Sequence, residues 1–291
     1  MRRLLCVVLL AALVAGCSDS SPGEAETPRA EPTSTPSSRS PSSTPSSASP
    51  SASEDAGPSY SAWELGAQPL RLRPDGLGEI RPTPPSLRER RYPTADVLPP
   101  PPDGGFQVTV GPVTPRIRAR STWSLACPVA LDDLRYLTVS FRGFDGAAHT
   151  GELMVAASEA DGIVSVFRAL YAARFPIEEM RIPTRRDLDA HPTGDGNNTG
   201  AFVCRPTVGA TSWSAHAYGL AIDVNPFMNP YQRDDVVLPE LASSYLRRDW
   251  RRPGMFGPDS MVVREFARIG WSWGGSWSSL KDYQHFTATG R

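Results

Sequence analysis

Two short polar motifs, about 60 residues apart, restrict what this chain of 291 residues can fold into. The first is S-A-H-A-Y-G-L-A-I-D at residues 214–223, and the second is D-Y-Q-H-F at residues 282–286. Two imidazoles and one carboxylate in this arrangement predict a zinc site formed by His216, Asp223 and His285. Three protein ligands leave one tetrahedral position open, which is typical of catalytic rather than structural zinc. The fold must therefore bring the two motifs together.

The residues within these motifs indicate how they could meet. Apolar residues alternate over 220–224, so Asp223 is expected on a strand, facing away from its apolar side. Gly219 allows a tight turn between His216 and that strand. A second short strand is predicted to begin at His285. Pairing of the two strands would place the three ligands side by side.

The N-terminal residues predict a targeting signal. Arg2 and Arg3 precede an apolar run, residues 4–14, that is too short to span a membrane. The run ends in L-V-A-G-C at Cys17, which resembles a bacterial lipobox. In this interpretation residues 1–17 are removed or lipidated, and the lipid on Cys17 anchors the protein to the outer face of the cell membrane. The alternative is an ordinary secretory signal with an incidental cysteine.

The remaining cysteines predict a disulfide. The chain has four cysteines, of which Cys6 lies within the signal and Cys17 is expected to carry the lipid. An exported chain enters an oxidising compartment, where the remaining pair, Cys127 and Cys204, would form a disulfide. The alternative is a pair of buried free thiols.

A segment with the composition of a linker follows the signal. Residues 18–56 contain no large apolar residue and cannot bury enough surface to offset chain entropy. Proline stays frequent up to residue 102, so we predict a disordered tether over 18–103. The alternative is that residues 57–103 dock on the domain surface. Lipid and tether together would place the domain within the cell wall.

The last part of the chain, residues 104–291, predicts one domain of the α+β class with an antiparallel sheet. Its length is enough to bury roughly 70% of the unfolded surface. The net charge of the chain is −1, which argues against a nucleic-acid partner. Apolar periodicity defines the elements. The predicted elements are strands at 137–141, 151–156 and 177–182, helices at 159–174 and 259–269, and a long polar loop at 186–212.

The motifs also carry a family resemblance. S-x-H-x-x-G-x-A-x-D, followed by W-G-G-x-W and D-x-x-H-F, resembles the zinc peptidases of bacterial cell walls, over at least residues 197–286. This group includes VanY-type D-alanyl-D-alanine carboxypeptidases and L-alanyl-D-glutamate peptidases. The resemblance implies a compact α+β domain with a central antiparallel sheet, flanking helices and one zinc ion. It assigns His216, Asp223 and His285 to the metal and Asp282 to the general base.

Details of the motifs favour different branches of this group. The segment Trp273–Trp277, with Asp282 rather than a glutamate three residues before His285, resembles the L-alanyl-D-glutamate endopeptidases. The segment N-P-F-M-N-P-Y at residues 225–231 instead resembles members classed with the carboxypeptidases. The endopeptidase is therefore the first expectation, and the D-alanyl-D-alanine carboxypeptidase is the alternative.

Five further residues are candidates for the substrate site. Arg205 could bind a substrate carboxylate or the developing oxyanion, although a structural ion pair is the alternative. Ser214 could bind substrate or brace His216. Tyr218 could line the cleft, or pack beside the strand. Trp273 and Trp277 could form a wall of the cleft, although packing in the core is the alternative for both.

These expectations combine into one function. We expect a zinc-dependent peptidase that hydrolyses peptidoglycan stem peptides with metal-activated water, acting as a lipid-anchored monomer that faces the cell wall. A domain that binds the cell wall without turnover is an alternative of a different class. The presence of Asp282 argues against it, because a binding module has no use for a general base.

Overall fold

The computed structural model describes residues 59–207 and 209–290. The predicted signal peptide, the lipidation site at Cys17 and the first part of the predicted tether lie outside the described residues. No described helix is both long and apolar enough to cross a membrane.

Within the described residues the fold is α+β, with short helices and mainly antiparallel strands, as predicted. The strands are β1 (Val108–Pro112), β2 (Leu134–Arg142), β3 (Ala148–Ala156), β4 (Glu179–Met180), β5 (Asn198–Thr199), β6 (Ala221–Asp223), β7 (Tyr231–Arg233), β8 (Val236–Leu238), β9 (Ser272–Trp273), β10 (Lys281–Asp282) and β11 (His285–Thr287). The α-helices are α1 (Pro85–Arg88), α2 (Pro115–Arg120), α3 (Ala160–Ala172), α4 (Arg185–Asp189) and α5 (Met261–Arg268). Single 3₁₀ turns occur at Leu131–Asp133, Ala157–Glu159, Ala215–Tyr218, Ser243–Leu246 and Gly274–Ser276.

The antiparallel strands are divided among three small sheets instead of one central sheet. The described sheets have the orders β1-β2-β3, β10-β7-β8 and β6-β11-β9, and β4 pairs with β5 in parallel. The long hairpin of β2 and β3 forms the floor of the main core, and the apolar face of α3 packs on it. Because β6, β10 and β11 are only two or three residues long, their positions depend on tertiary packing more than on strand pairing.

Two of the predicted elements are shorter or more structured than expected. The strand predicted over 177–182 pairs only through β4, because β5 offers a partner of just two residues. The polar segment 186–212 is not one loop, since it contains most of α4 and all of β5. Thr184 begins α4 with a reciprocal capping box, in which Thr184 and Asp187 satisfy each other's backbone N–H groups.

Helix α5 packs against β11, the strand that begins at His285. Its N-cap is Ser260, whose side chain accepts a hydrogen bond from the Val263 N–H. The Phe266 ring stacks on Phe286 of β11, with 3.9 Å between the ring centroids and 10° between the planes. This contact fixes the residue next to His285 in the core.

The N-terminal boundary of the domain differs from the predicted one. Residues 59–103 are packed on the domain, so the docking alternative describes this part of the predicted tether correctly and a disordered tether up to residue 103 is wrong. Leu70 and Leu87 are buried in a second apolar cluster with Phe227 and Tyr245. The proline-rich composition wrongly indicated disorder. A few apolar residues are enough to pack a segment on a domain when an apolar cluster elsewhere in the chain can receive them.

A buried ion pair between Arg90 and Glu178 joins residues 59–103 to the rest of the domain. The Arg90 guanidinium donates to both carboxylate oxygens of Glu178, at 2.8 and 2.6 Å, and both side chains are almost fully buried. The Arg90 guanidinium also lies over the Phe227 ring, 4.5 Å from its centroid. The backbone N–H of Arg90 donates to the Tyr245 hydroxyl at 3.0 Å.

Cys127 and Cys204, the two cysteines that remain after the predicted signal and lipidation site, form the predicted disulfide, with 5.8 Å between their Cα atoms. The bond joins two segments that are 77 residues apart. It lies beside an apolar cluster that includes Leu134, Met154 and Phe202. Cys204 directly precedes Arg205, so the disulfide holds the root of the segment that enters the first zinc motif.

Candidate metal centre and active-site cavity

Strand pairing brings two of the predicted ligands together. Strands β6 and β11 are antiparallel, and their register places His285 directly opposite Asp223. Directly opposed residues have Cβ atoms about 4.5–5.5 Å apart, close enough for their side chains to interact. The His285 Nδ1 lies 2.9 Å from Asp223 Oδ1.

The third predicted ligand, His216, is presented by the 3₁₀ turn Ala215–Tyr218. Ser214 caps this turn by accepting a hydrogen bond from the His216 N–H. The turn ends at Gly219, which has a φ of +69° and lies so close to β3 that a Cβ atom would come within 2.5 Å of the Ala156 nitrogen. Glycine is therefore required there for both conformation and space.

The ring orientation of His216 suits a metal ligand. Its Nδ1 lies 2.6 Å from the Ala201 carbonyl oxygen. Because a carbonyl can only accept, Nδ1 carries the hydrogen and Nε2 is left with its lone pair. Nε2 points to the other two ligands, 3.2 Å from His285 Nδ1 and 3.3 Å from Asp223 Oδ2.

The three side chains have the spacing that a zinc ion needs. Their ligand atoms lie within 4.8 Å of one another. Ligand atoms at about 2.0–2.1 Å from a tetrahedral zinc are about 3.3 Å apart, close to the contacts of 2.9 to 3.3 Å described above. The donor set of two imidazoles and one carboxylate is also one that zinc prefers. His216, Asp223 and His285 thus fit a zinc ion in geometry and in chemistry.

The electrostatics of the group favour an ionised Asp223 and a neutral His285. Burial alone would raise the pKa of Asp223, but interaction with His216 and hydrogen bonds with both imidazoles hold it well below its usual range. Burial lowers the pKa of His285, against the opposing effect of Asp223. An ionised carboxylate and a neutral imidazole are the forms that coordinate a metal ion.

Asp282 lies beside this group without joining it. Strand β10 pairs with β7, which places Asp282 opposite Tyr231. A Cβ atom on Gly274 would lie 2.7 Å from the Asp282 carbonyl oxygen, so glycine permits this close approach. Asp282 Oδ1 is inaccessible to solvent and has no hydrogen-bond partner within residues 59–207 and 209–290. Burial and then the charge of Asp223 raise the pKa of Asp282 well above its usual range, against smaller opposing effects of Gln284 and Arg205.

The metal group and Asp282 share one cavity of about 210 Å³. Arg205 and Ser214, two of the residues predicted to bind substrate, also line it. Among the described residues the Arg205 side chain makes one hydrogen bond, to the adjacent Pro206 carbonyl at 3.1 Å, which leaves most of its guanidinium donors available. The remaining lining residues are Thr207, Ala215, Tyr231, Arg233, Leu238, Trp277, Leu280 and Gln284.

Two of the aromatic candidates are not part of the cavity. Tyr218 is 37% exposed and does not line the cavity. Trp273 is buried in the main core, where its indole N–H donates to the Tyr283 carbonyl at 2.8 Å. The structure therefore does not bring these two residues together with the other predicted site residues, and their contact with substrate stays a prediction. Trp277 lines the cavity instead, with its ring centroid 5.5 Å from that of His285.

Gln284 is a site residue that the sequence pattern did not reveal. It occupies a variable position of D-x-x-H, and its side chain lines the cavity. Its Oε1 is buried without a hydrogen-bond partner, and so is the indole nitrogen of Trp277. Buried polar atoms normally have hydrogen-bond partners, which these two atoms lack among the described residues.

Comparison with known proteins agrees with this geometry. Residues 208–288 match the family model described as D-alanyl-D-alanine carboxypeptidase. No curated protein and no solved structure matches the chain. The family is zinc-dependent, and the matched segment contains the three metal-binding candidates and Asp282. Residues 208–288 are therefore similar to the zinc-peptidase segment of the D-alanyl-D-alanine carboxypeptidase family, which supports a zinc metallopeptidase.

Proposed function

We propose that this protein hydrolyses the stem peptides of peptidoglycan as a zinc-dependent endopeptidase that cuts between L-Ala and D-Glu. The observation that carries the peptidase chemistry is Asp282, whose Oδ1 is buried without a hydrogen-bond partner among the described residues, beside a three-ligand metal group. The choice of bond rests on Asp282 and on the Trp273–Trp277 segment, which resemble the endopeptidase branch.

A D-alanyl-D-alanine carboxypeptidase is the second candidate. It is favoured by the description of the matching family model and by the segment at residues 225–231. Both candidates use the same catalytic residues and differ only in where the substrate is held relative to the metal.

Each residue has a defined part in the proposed reaction. His216 Nε2, Asp223 and His285 Nδ1 hold the zinc ion. When bound, zinc supplies a Lewis acid that polarises the peptide carbonyl and acidifies water. Asp282 takes the proton of the attacking water and delivers it to the leaving amine nitrogen. The Arg205 guanidinium donates hydrogen bonds to the negative charge that develops on the carbonyl oxygen or to a substrate carboxylate.

The bond can be identified by digestion of defined muropeptides with the full chain, followed by mass spectrometry, with and without a zinc chelator. Release of the peptide that follows L-Ala supports the endopeptidase. Loss of a single alanine from a pentapeptide supports the carboxypeptidase instead. If no product is chelator-sensitive while zinc is bound, the proposed peptidase activity is wrong and binding of the cell wall without turnover replaces it.

Replacement of one ligand tests the metal group. We expect His216→Ala to lose stoichiometric zinc, since two side chains cannot hold the ion as three do. Metal analysis of the purified protein after dialysis measures this. His191→Ala is the matched control. His191 contacts the Leu70 carbonyl oxygen and is not one of the three predicted ligands, so this variant should keep its zinc. Full zinc occupancy in His216→Ala would show that the ligand set is wrong.

We also propose that the protein is a monomer anchored to the outer face of the cell membrane through a lipid on Cys17. The support is the apolar run and the L-V-A-G-C sequence at its end. We expect Cys17→Ser to shift the protein from the membrane fraction to the soluble fraction, as followed by fractionation and immunoblotting. Unchanged membrane association in this variant would refute the lipid anchor.

A further inference from the structure

A second, larger recess is continuous with the metal cavity. It has a volume of about 660 Å³, and it shares Arg205, Asp223, Leu238 and Gln284 with the cavity. Pockets that enclose a small ligand usually measure roughly 300–1,000 Å³, so the metal cavity of about 210 Å³ is too small for more than the residues next to the cut bond. The remainder of a peptide would have to lie in the recess, which we call the long groove.

The N-terminal segment supplies part of the wall of the long groove. Leu65 and Gly66 line it, and both come from the region that packs on the domain. Asp195 holds this corner by accepting hydrogen bonds from the Trp63 indole N–H at 2.8 Å and from the Gly66 N–H at 3.0 Å. Thr193 donates to the other oxygen of Asp195 at 2.6 Å, so the carboxylate is itself held in place.

Most charges of the long groove are paired within the protein, with Arg205, at the junction with the metal cavity, as the exception. Arg90 binds Glu178, and Arg181 binds Asp187 at 2.8 and 2.9 Å. Glu240 accepts a hydrogen bond from the Gly78 N–H at 2.8 Å. A ligand recognised mainly by charge, such as a polyphosphate, would find few free partners here.

The groups that remain available suit an extended peptide. Gln284 offers an unpartnered carbonyl oxygen at the junction with the metal cavity, where a backbone N–H could donate to it. Leu65 is 42% exposed and presents an apolar surface farther along the groove. An acceptor for the backbone and an apolar contact for alternate side chains are the features by which proteins bind extended peptides.

We propose that the Leu65–Gly66 corner is a specificity subsite, at which the N-terminal segment contacts stem-peptide residues two or more positions from the cut bond. This inference rests on the proposed function, since it assumes that a stem peptide is bound at the metal. It implies that the segment determines which substrate length is preferred, while the metal cavity carries the chemistry.

Binding and cleavage by a pair of leucine variants test this subsite. Leu65→Ala removes the groove contact, and Leu72→Ala is the matched control, because Leu72 lies in the same segment, is 49% exposed and is not part of the groove. The affinity of full chains for a muramyl pentapeptide is measured by calorimetry in an Asp282→Asn background. Cleavage of the pentapeptide and of a muramyl dipeptide is measured without that substitution. Thermal melting checks that both variants fold.

We expect Leu65→Ala to weaken pentapeptide binding by about five- to tenfold, the loss of a partial contact of three carbon atoms. The same variant should lower kcat/KM for the pentapeptide and leave that for the dipeptide unchanged, whereas Leu72→Ala changes neither. Equal pentapeptide affinities in the two variants overturn the subsite. Leu65-dependent binding without cleavage by the unsubstituted chain would retain the subsite and overturn the proposed function.

Discussion

Asp282→Asn is expected to lower kcat by about 10²- to 10⁴-fold while the bound zinc remains stoichiometric. The amide is nearly isosteric with the carboxylate, but it cannot take the proton of the attacking water or pass it to the leaving amine. Because Asp282 is not one of the three side chains that converge on the metal position, its loss should leave metal affinity intact. Steady-state kinetics on the preferred muropeptide and metal analysis on the same preparation measure both quantities.

Asp259→Asn is the matched control for this variant, since it makes the same chemical change on the exposed surface. It should leave kcat unchanged. Near-native turnover in Asp282→Asn would remove Asp282 from the role of general base, and loss of zinc in this variant would place it among the metal ligands.

The same carboxyl predicts a pH dependence. Its pKa is raised in the folded protein by burial and by Asp223, so Asp282 favours folding when protonated and opposes folding when ionised. This contribution is fully present below the pKa of the unfolded chain and is lost as the pH rises through the folded value. Metal-free Asp282→Asn should therefore be at least as stable as the unchanged protein at neutral pH, as measured by thermal melting across pH. A lower melting temperature at neutral pH would contradict the raised pKa.

Arg90→Ala should reduce the free energy of unfolding by about 3–5 kcal/mol. The substitution leaves Glu178 as a buried carboxylate without its cation, and it removes the contact with the Phe227 ring. Removal of one partner of a buried ion pair costs more than the pair contributes, because the remaining charge has lost its solvent as well. Urea unfolding, followed by tryptophan fluorescence, measures the change.

Arg81→Ala is the matched control, because Arg81 pairs with Glu79 on the surface of the same segment, with side chains 50% and 47% exposed. Exposed pairs contribute at most about 1 kcal/mol, so this variant should be close to the unchanged protein. A small effect of Arg90→Ala, similar to that of Arg81→Ala, would mean that residues 59–103 do not form part of the folded unit. A chain truncated at Gly104 should fold poorly, since it would expose Phe227 and leave Glu178 unpaired.

The sequence by itself was enough to name the three candidate metal ligands and the carboxylate beside them. His216, Asp223, His285 and Asp282 could be named because their chemistry restricts the residue types and because the local geometry is encoded nearby. Gly219 is an example of such local encoding. A tight turn is needed between His216 and the strand that carries Asp223, and glycine is the residue that adopts the required backbone conformation. The amphipathic helices α3 and α5 were predictable for a similar reason, as their apolar spacing is a local signal.

The tertiary structure alone decided which of the two tryptophans lines the cavity beside the metal-binding candidates. Trp273 and Trp277 are equivalent in composition and lie in one short motif, yet Trp273 enters the core and Trp277 lines the cavity. The 3₁₀ turn Gly274–Ser276 separates them and gives their side chains different directions. These directions depend on how the turn packs against β10 and β11. The positions of those strands are set by pairing with β7 and β6, which lie far away in the sequence.

Residues 59–103 show most clearly that local sequence does not predict packing between distant segments. Their proline-rich composition indicates a linker, because local composition measures how much apolar surface a segment has to bury. Whether Leu70, Leu87 and Arg90 are buried depends on a matching cluster around Tyr245 and on Glu178, which lie about 90 to 160 residues away in the chain. Such complementarity between distant segments exists only in the folded state, so the sequence named the candidate metal ligands and the tertiary structure decided the boundary of the domain and the shape of the recess beside those ligands.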